Sequence, residues 1–448
     1  MKKYFSIITL GCAKNTVDTE FIIGIMADAG YAYTSNLEEA KVIIVNSCAF
    51  LSSSVSESLN AVFEAQDLRK DGKLKTLVLT GCLIHRYKDE LYDKLPEVDI
   101  FLSTEEIKHL PKILNNNSKG AFYKNYDVFL GNEKLKRIVT DVPSQAYVKI
   151  AEGCNHRCAY CTIPLIKGKL KSRSISSIIK EVRSLVKNGV KEVSLIAQDL
   201  SEYGSDLKDD TNLNKLIDSL HNEKFPCKFR LLYLYPTGIN DGLLSRIVKY
   251  DDFCNYIDLP LQHSSENILK AMYRPVGKFS SWNIIKKIHE KYPQISIRTT
   301  FIVGFPGETR EDVEDLKNFV KQGYFSSVGI FAYSHEEGSL AYSKYKDYKQ
   351  DKKQVKRDIK EIEIIQQKLR VAELKKLKGK QIKVLLEGFH KDTDLILVGR
   401  TEFQAPEVDG EVLITNVDLS KRDIKFGEFY NSVVTKVDGY NLEACLID

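Results

Sequence analysis

From Tyr147 onward the chain repeats one unit six times, a short β-branched or aromatic run followed by a helical stretch. The strand-like runs are Tyr147 to Ile150, Glu192 to Ile196, Phe229 to Leu234, Tyr256 to Leu259, Ser296 to Val303 and Ser327 to Tyr333. Such alternation builds a parallel sheet whose crossovers are helices. Six units in about 190 residues are too few for a closed eight-stranded barrel, so an open partial (βα)6 TIM-like barrel is expected. Function in barrels gathers at the carboxyl ends of strands. The first strand here runs directly into Gly153-Cys154-Asn155-His156-Arg157-Cys158-Ala159-Tyr160-Cys161.

Three thiolates at this spacing can hold three irons of a 4Fe-4S cluster and leave the fourth iron open to a reactant. Ligation by four cysteines is the common arrangement, so a loop supplying three argues for a working cluster. Structural zinc is the rival, and His156 is its only local fourth ligand. Later strands end in Gln198-Asp199, in Asp258-Leu-Pro-Leu-Gln262-His263 and in Gly304-Phe-Pro-Gly307-Glu308-Thr309. A lone Gly-x-x-Gly is weak evidence for a nucleotide site, and His263 alone could be structural. As a set on one rim they outline a cofactor and substrate surface.

The first 118 residues carry a second α/β pattern. Strands are expected at Tyr4 to Leu10, Val42 to Asn46, Leu77 to Thr80 and Val98 to Leu102. Helices are expected over Val17 to Ala29, Ser53 to Leu68, His85 to Leu95 and Thr104 to Leu114. Cys12, Cys48 and Cys82 each follow a strand, 36 and 34 residues apart. The carboxyl ends of an open parallel sheet share one edge, where ligands bind. Three thiols there, two preceded by Gly11 and Gly81, read as a second iron-sulfur site rather than as small buried hydrophobes.

A linker is expected over 119–142, between the first unit and a core of 143–375. From Gly379 to Asp448 the pattern turns all-β, with short strands near Ile382 to Glu387, Ile396 to Arg400, Val412 to Thr415 and Ser432 to Val437, the makings of a small OB-like barrel. This module holds eight Lys and Arg against thirteen Asp and Glu, so it carries −5 within a chain of net +5. An acidic module repels phosphate, and direct nucleic-acid binding is not expected to dominate. It suits a basic protein partner instead. The basic run Lys344 to Lys356 is a solvated helix face by default. No apolar run approaches the roughly 18 residues of a membrane span, and the amino terminus has no leader pattern. A cytoplasmic protein is expected, whose nine cysteines serve metal or catalysis rather than disulfides. Cys227, Cys254 and Cys445 have no partner spacing and are expected to be unligated.

The cluster loop, with Tyr160 before its last cysteine, resembles the radical S-adenosylmethionine (SAM) enzymes. That resemblance implies a cluster on Cys154, Cys158 and Cys161 whose open iron chelates SAM, with Tyr160, Gln198 and Gly304 as candidate SAM contacts. Reductive cleavage of SAM then yields a 5'-deoxyadenosyl radical. The first domain resembles the methylthiotransferases, which implies an auxiliary 4Fe-4S cluster on Cys12, Cys48 and Cys82 that carries the inserted sulfur. Leu10-Gly-Cys-Ala-Lys-Asn15, Gln198-Asp-Leu-Ser-Glu-Tyr-Gly204, Asp258 to Ser265 and Arg298-Thr-Thr-Phe-Ile-Val-Gly-Phe-Pro-Gly-Glu-Thr309 look like the RimO-type branch. That branch methylthiolates the β-carbon of an aspartate in the small-subunit ribosomal protein S-twelve.

The tRNA-modifying branch tends to read Gly-Cys-Gln-Met-Asn and Leu-Pro-Val-Gln-Ser-Gly, and neither string occurs here. A tRNA adenosine is the alternative substrate. The last module, including Thr401 to Gly410, resembles a TRAM domain, through which the basic ribosomal protein would be met. An external reductant such as flavodoxin or ferredoxin is implied. Lys167 stands where an Arg before Gly is common, and Tyr273 where a second Arg is common. Lys does not replace Arg neutrally at a bidentate contact.

Overall fold

The computed structural model describes residues 3–70, 72–123, 128–140, 144–415, 417 and 423–447. Its first sheet runs Tyr31–Tyr33, Lys3–Thr9, Val42–Ser47, Thr76–Gly81, Ile100–Leu102, Gly120–Phe122, with every pairing parallel. Val42–Ser47 is buried along its whole length, as a parallel strand covered on both faces requires, and its β-branched run suits that position. The two edge strands, Tyr31–Tyr33 and Gly120–Phe122, are only three residues long. They are too short to show a period, and sequence reasoning missed both.

Gly120–Phe122 falls inside the stretch expected as linker. Residues 124–127 and 141–143 of that stretch lie outside the described residues. Between them the chain is tied down: Lys149 Nζ donates to Phe129 O at 2.6 Å, and Arg137 joins Glu20 of the first domain to Glu181 of the second. The helix expected over His85 to Leu95 is two, Cys82–Tyr87 and Asp89–Lys94. Lys88 breaks it with φ 48°, the left-handed region that a helix cannot propagate through. The stretch expected as one helix from Thr104 to Leu114 begins as a 3-10 segment, Thr104–His109, and becomes α-helical at Leu110–Asn115. Pro111, near the start of that second segment, has no N–H to give to the carbonyl four residues back, so an unbroken α ladder cannot run through it.

The second sheet takes its six strands in chain order, all parallel: Gln145–Lys149, Glu192–Ile196, Lys228–Leu231, Phe253–Asp258, Ser296–Val303 and Ser327–Ala332. It is the open six-stranded barrel that the repeats imply. Its helices are capped locally, Ile175–Lys187 by Ser174 and Arg310–Lys321 by a reciprocal Thr309/Asp312 box. The edge strand Ser327–Ala332 is only partly buried. The helix Lys352–Lys375 covers that side, placing Val355 and Ile362 in the barrel core, which protects an otherwise unpaired edge.

The last module is a closed five-stranded barrel of Gln381–His390, Thr393–Arg400, Val412–Ile414, Asn441–Leu446 and Phe429–Asp438. Sequence reasoning missed the strand Asn441–Leu446. The loop from Thr401 to Gly410 docks on the barrel. Tyr147 and Tyr256 donate to Glu407 (3.0 Å) and Asp409 (2.7 Å). Glu192, first residue of its strand, is shared by Arg230 and Arg400. Burial opposes its ionisation, but the two guanidinium groups win and hold its carboxyl at about 2. Two of the module's carboxylates, Glu407 and Asp409, thus face the second domain's barrel rather than solvent. Among the described residues no helix is long and apolar enough to cross a membrane.

Candidate active site between two cysteine triads

Lys3–Thr9, Val42–Ser47 and Thr76–Gly81 are neighbouring strands, so the residues that follow them share one edge. Cys12 is the N-cap of the helix Ala13–Asp28, Cys48 follows its strand directly, and Cys82 opens the helix Cys82–Tyr87. The two glycines are needed twice over. Gly11 (φ +100°) and Gly81 (φ +93°) occupy backbone conformations that L side chains avoid. A Cβ on Gly11 would also lie 2.9 Å from Cys48 Sγ, and one on Gly81 2.5 Å from Ser47 O. Asn15 ties the loops together: its Nδ2 donates to Leu10 O (2.6 Å) and Ser47 O (3.0 Å), while its Oδ1 faces Cys82 Sγ at 3.9 Å.

Burial pushes the Cys82 thiol up to about 12; Lys167 opposes the shift, and Cys12 and Cys48 add to it. Three thiols brought to one sheet edge suit a metal group, which deprotonates its ligands on binding.

The second triad lies on the loop after Gln145–Lys149. Gly153 (φ +82°) passes so close to Lys169 O that a Cβ would meet it at 2.1 Å, and Cys154 N donates to Gly168 O at 3.1 Å. Cys161 N closes a turn on Cys158 O at 3.0 Å. Burial, with the charge of Cys158 adding, pushes Cys154 up to about 11 and Cys161 up to about 12. Cys158 Sγ faces Arg274 Nη1 at 3.8 Å and Tyr235 Oη at 4.0 Å. The Arg274 guanidinium lies over the Tyr235 ring at 4.1 Å and donates to Pro260 O. His156 is taken up elsewhere: its ring stacks on Tyr235 at 3.7 Å, and Nε2 lies 2.7 Å from Asp199 Oδ2. Tyr160 packs with Ala159, Met272, Phe305 and Tyr333, and burial beside Cys158 pushes its hydroxyl pKa well up.

Between the triads runs a chain of buried charges. Lys149 Nζ lies 2.6 Å from Asp18 Oδ1 and 2.7 Å from Glu152 Oε2. Glu152 Oε1 accepts from Gln198 Nε2 and faces Lys167 Nζ at 3.8 Å. Burial opposes the Glu152 charge, but Lys149 and Lys167 outweigh it and hold the carboxyl low. Gln198 Oε1 is buried and has no partner among the described residues, so it is an acceptor aimed at something the chain does not supply. The N–H of Gly304 donates to Glu308 (2.8 Å), and its carbonyl accepts from Tyr348 (2.7 Å) and Gln350 (3.1 Å). His263 is wholly buried, accepts from Ser265 N, and is held neutral by burial with its pKa down at about 4. It is a structural histidine.

Sequence reasoning singled out neither Arg274 nor Lys14. Arg274 was legible as the fixed basic residue of Met272-Tyr273-Arg274-Pro275. Lys14 was legible as the charged residue standing where the tRNA-modifying string has Met. The pairing of Lys149 with Asp18 left no signal, because partners 131 residues apart show no spacing, and Glu152, three residues after Lys149, reads in sequence as an ordinary charge of a strand end.

A partial barrel with a thiol triad after its first strand, preceded by a sheet edge bearing a second triad, defines a radical SAM enzyme of the two-triad kind. Comparison with known proteins agrees. Residues 4–103 match the Uncharacterized protein family UPF0004, residues 148–320 the Radical SAM superfamily and residues 379–447 the TRAM domain. The ribosomal protein uS12 methylthiotransferase RimO of Geobacter sulfurreducens is 39% identical over 94% of this chain and 95% of its own. That of Desulfotalea psychrophila is 38% identical over 98% of both. Among solved structures, the radical SAM methyltransferase TsrM from Kitasatospora setae, with tryptophan substrate and a SAM analog bound, covers 73% of each chain at TM-score 0.54 and 11% identity, a likeness of fold. The chain belongs to the RimO family of methylthiotransferases.

Proposed function

We propose that this chain inserts a methylthio group at the β-carbon of an aspartate in ribosomal protein uS12, the small-subunit protein S-twelve. The observation that carries the reading is the pair of thiol triads, one at a strand-end edge of each sheet, joined by buried charges. Relatives bearing the uS12 methylthiotransferase name along nearly the whole chain support it. They do not favour the tRNA alternative.

In this reading Cys154, Cys158 and Cys161 hold the SAM-binding cluster and Cys12, Cys48 and Cys82 the auxiliary one. When bound, these cofactors supply one-electron cleavage of SAM and the sulfur to be inserted. The chain supplies position and charge. Arg274 sets its guanidinium 3.8 Å from Cys158 Sγ and so places a cation beside one ligand of that cluster. Glu152 fixes the carboxamide of Gln198 so that its free oxygen faces SAM. Tyr160 and Gly304 would complete the contact, Gly304 as a backbone position held by Glu308, Tyr348 and Gln350. The first domain closes on the barrel through Thr162 Oγ1, which donates to Phe50 O at 3.1 Å, and so limits water.

The working units are 1–118, a connecting segment 119–142, the SAM core 143–375 and the TRAM domain 379–448. The acidic charge that the TRAM domain does not spend on the barrel steers the basic substrate protein. The setting is the cytoplasm, with flavodoxin or ferredoxin as reductant. The test compares uS12 and digested tRNA nucleosides by mass in cells with and without the gene. Loss of one methylthio group from uS12 alone is expected. Its loss from a nucleoside alone overturns the substrate.

A further inference from the structure

We infer that Lys14 reads the substrate's acidic side chain: its ammonium, buried between the two thiol triads, binds the carboxylate of the target aspartate. This rests on the reaction proposed above and names the group that selects its substrate.

Lys14 lies in the first turn of the helix that begins beside Cys12, and it is only 9% exposed. Its Nζ crosses from the first domain to the carboxyl end of a barrel strand. There it lies 3.4 Å from Ala197 O, at the limit of a hydrogen bond, and 4.3 Å from the centre of the Tyr233 ring. Among the described residues it has no ion pair with a carboxylate. A buried ammonium is costly unless a charge and hydrogen bonds compensate it, and a carbonyl and a ring do so only in part. The surroundings deepen the imbalance. Lys149 and Lys167 face Asp18 and Glu152, so with Lys14 the group has three cations against two carboxylates. Beyond those two carboxylates, the negative charge the chain offers Lys14 comes from the thiol of Cys12 and the hydroxyl of Tyr233, so no third carboxylate matches its ammonium among the described residues.

The reacting carbon must occupy this gap, because it loses hydrogen on the SAM side and gains sulfur on the auxiliary side. In aspartate that carbon is bonded to the carboxylate carbon. A cation gripping the carboxylate therefore holds the reacting carbon one bond away, the positioning on which such a transfer depends. An uncharged base offers Lys14 no counter-charge. SAM carries a carboxylate too, but Lys14 stands beside Cys12, on the side from which sulfur arrives.

The experiment uses the full chain with both clusters reconstituted, wild type and Lys14→Met, with Lys14→Arg to restore the charge. Two fluorescent peptides carry the target loop with Asp or with Asn at the modified position. Anaerobic anisotropy with SAM and no reductant reads binding without turnover. The wild type should prefer the Asp peptide by about 30-fold or more, as expected for a desolvated charge pair. Lys14→Met should bind both peptides alike, and Lys14→Arg should regain most of the preference. Iron per chain, SAM affinity and peptide-free formation of 5'-deoxyadenosine should be unchanged. A Lys14→Met protein that keeps the Asp preference overturns the inference, and a loss of iron or SAM affinity with that preference kept assigns Lys14 to a cofactor instead. A wild type that binds neither peptide overturns the substrate reading and this inference with it.

Discussion

Arg86 Nη2 lies 3.0 Å from Glu336 Oε2, both side chains nearly buried, and the pair fastens the first domain to the loop after the last barrel strand. Glu336 is fully used: it also accepts from Ser52 N at 2.8 Å and from Ser334 Oγ at 2.6 Å. Burial disfavours its charge, but these donors and Arg86 hold its carboxyl below the usual range. Its contribution is therefore present above the ordinary carboxylate pKa and is lost only as pH falls through the lowered value.

Removing one member of this pair strands the other in a dry site. Arg86→Ala should cost about 3–5 kcal/mol where the two domains meet. With the domains loosened, SAM cleavage should survive while methylthiolation falls. Cleavage and methylthio product measured together check this, and equal loss of both would show that the pair does not couple the domains.

The triads should be separable. Cys12, Cys48 and Cys82 all changed to Ala should lower iron to about half and abolish methylthiolation, yet leave SAM cleavage. The same change at Cys154, Cys158 and Cys161 should also lower iron to about half but end cleavage. Iron analysis with assay of 5'-deoxyadenosine distinguishes the two. Methylthiolation surviving the first triple change would sink the auxiliary assignment.

What the sequence made legible was whatever repeats or clusters locally. Glu192–Ile196 and Ser296–Val303 occur as expected to the residue, because both are rich in β-branched residues and the second alternates buried and half-buried positions with the period of a strand. Cys12, Cys48 and Cys82 converge because strand ends in one parallel sheet share an edge. The three-residue strands Tyr31–Tyr33 and Gly120–Phe122 were hidden because so short a run has no period. The docking of Thr401 to Gly410 was hidden for another reason. In sequence Glu407 and Asp409 are two more charges of an acidic module, and only the fold turns them toward Tyr147 and Tyr256.

Lys149 is wholly buried and neutralises Asp18 of one domain and Glu152 of the next. Lys149→Met should destabilise by about 3–5 kcal/mol, since it leaves Asp18 without its ion-pair partner and Glu152 with Lys167 alone. Adding Asp18→Asn and Glu152→Gln to Lys149→Met should recover much of the loss, because uncharged amides tolerate the dry site better. Denaturant unfolding of the single and triple variants measures this. A triple variant less stable than the single one would contradict it.

Glu308 gives a pH signature. Its carboxyl accepts from Gly304 N and Phe305 N, and burial nonetheless pushes its pKa up to about 7. His263, 3.8 Å away, supplies no charge because burial keeps it neutral. A carboxyl that holds its proton more tightly when folded adds stability that is complete below its unfolded pKa, and that stability disappears as pH rises through about 7. The full effect is about 3 kcal/mol. His263 works in the opposite sense, losing stability as pH falls toward about 4, so the wild-type curve alone hides both. The difference between wild type and Glu308→Gln removes the His263 part. It should favour the wild type progressively more on going from about pH 8 to about pH 5, in urea unfolding of the cluster-free chain. A pH-independent difference would show that Glu308 is charged throughout and that its two N–H donors outweigh its burial.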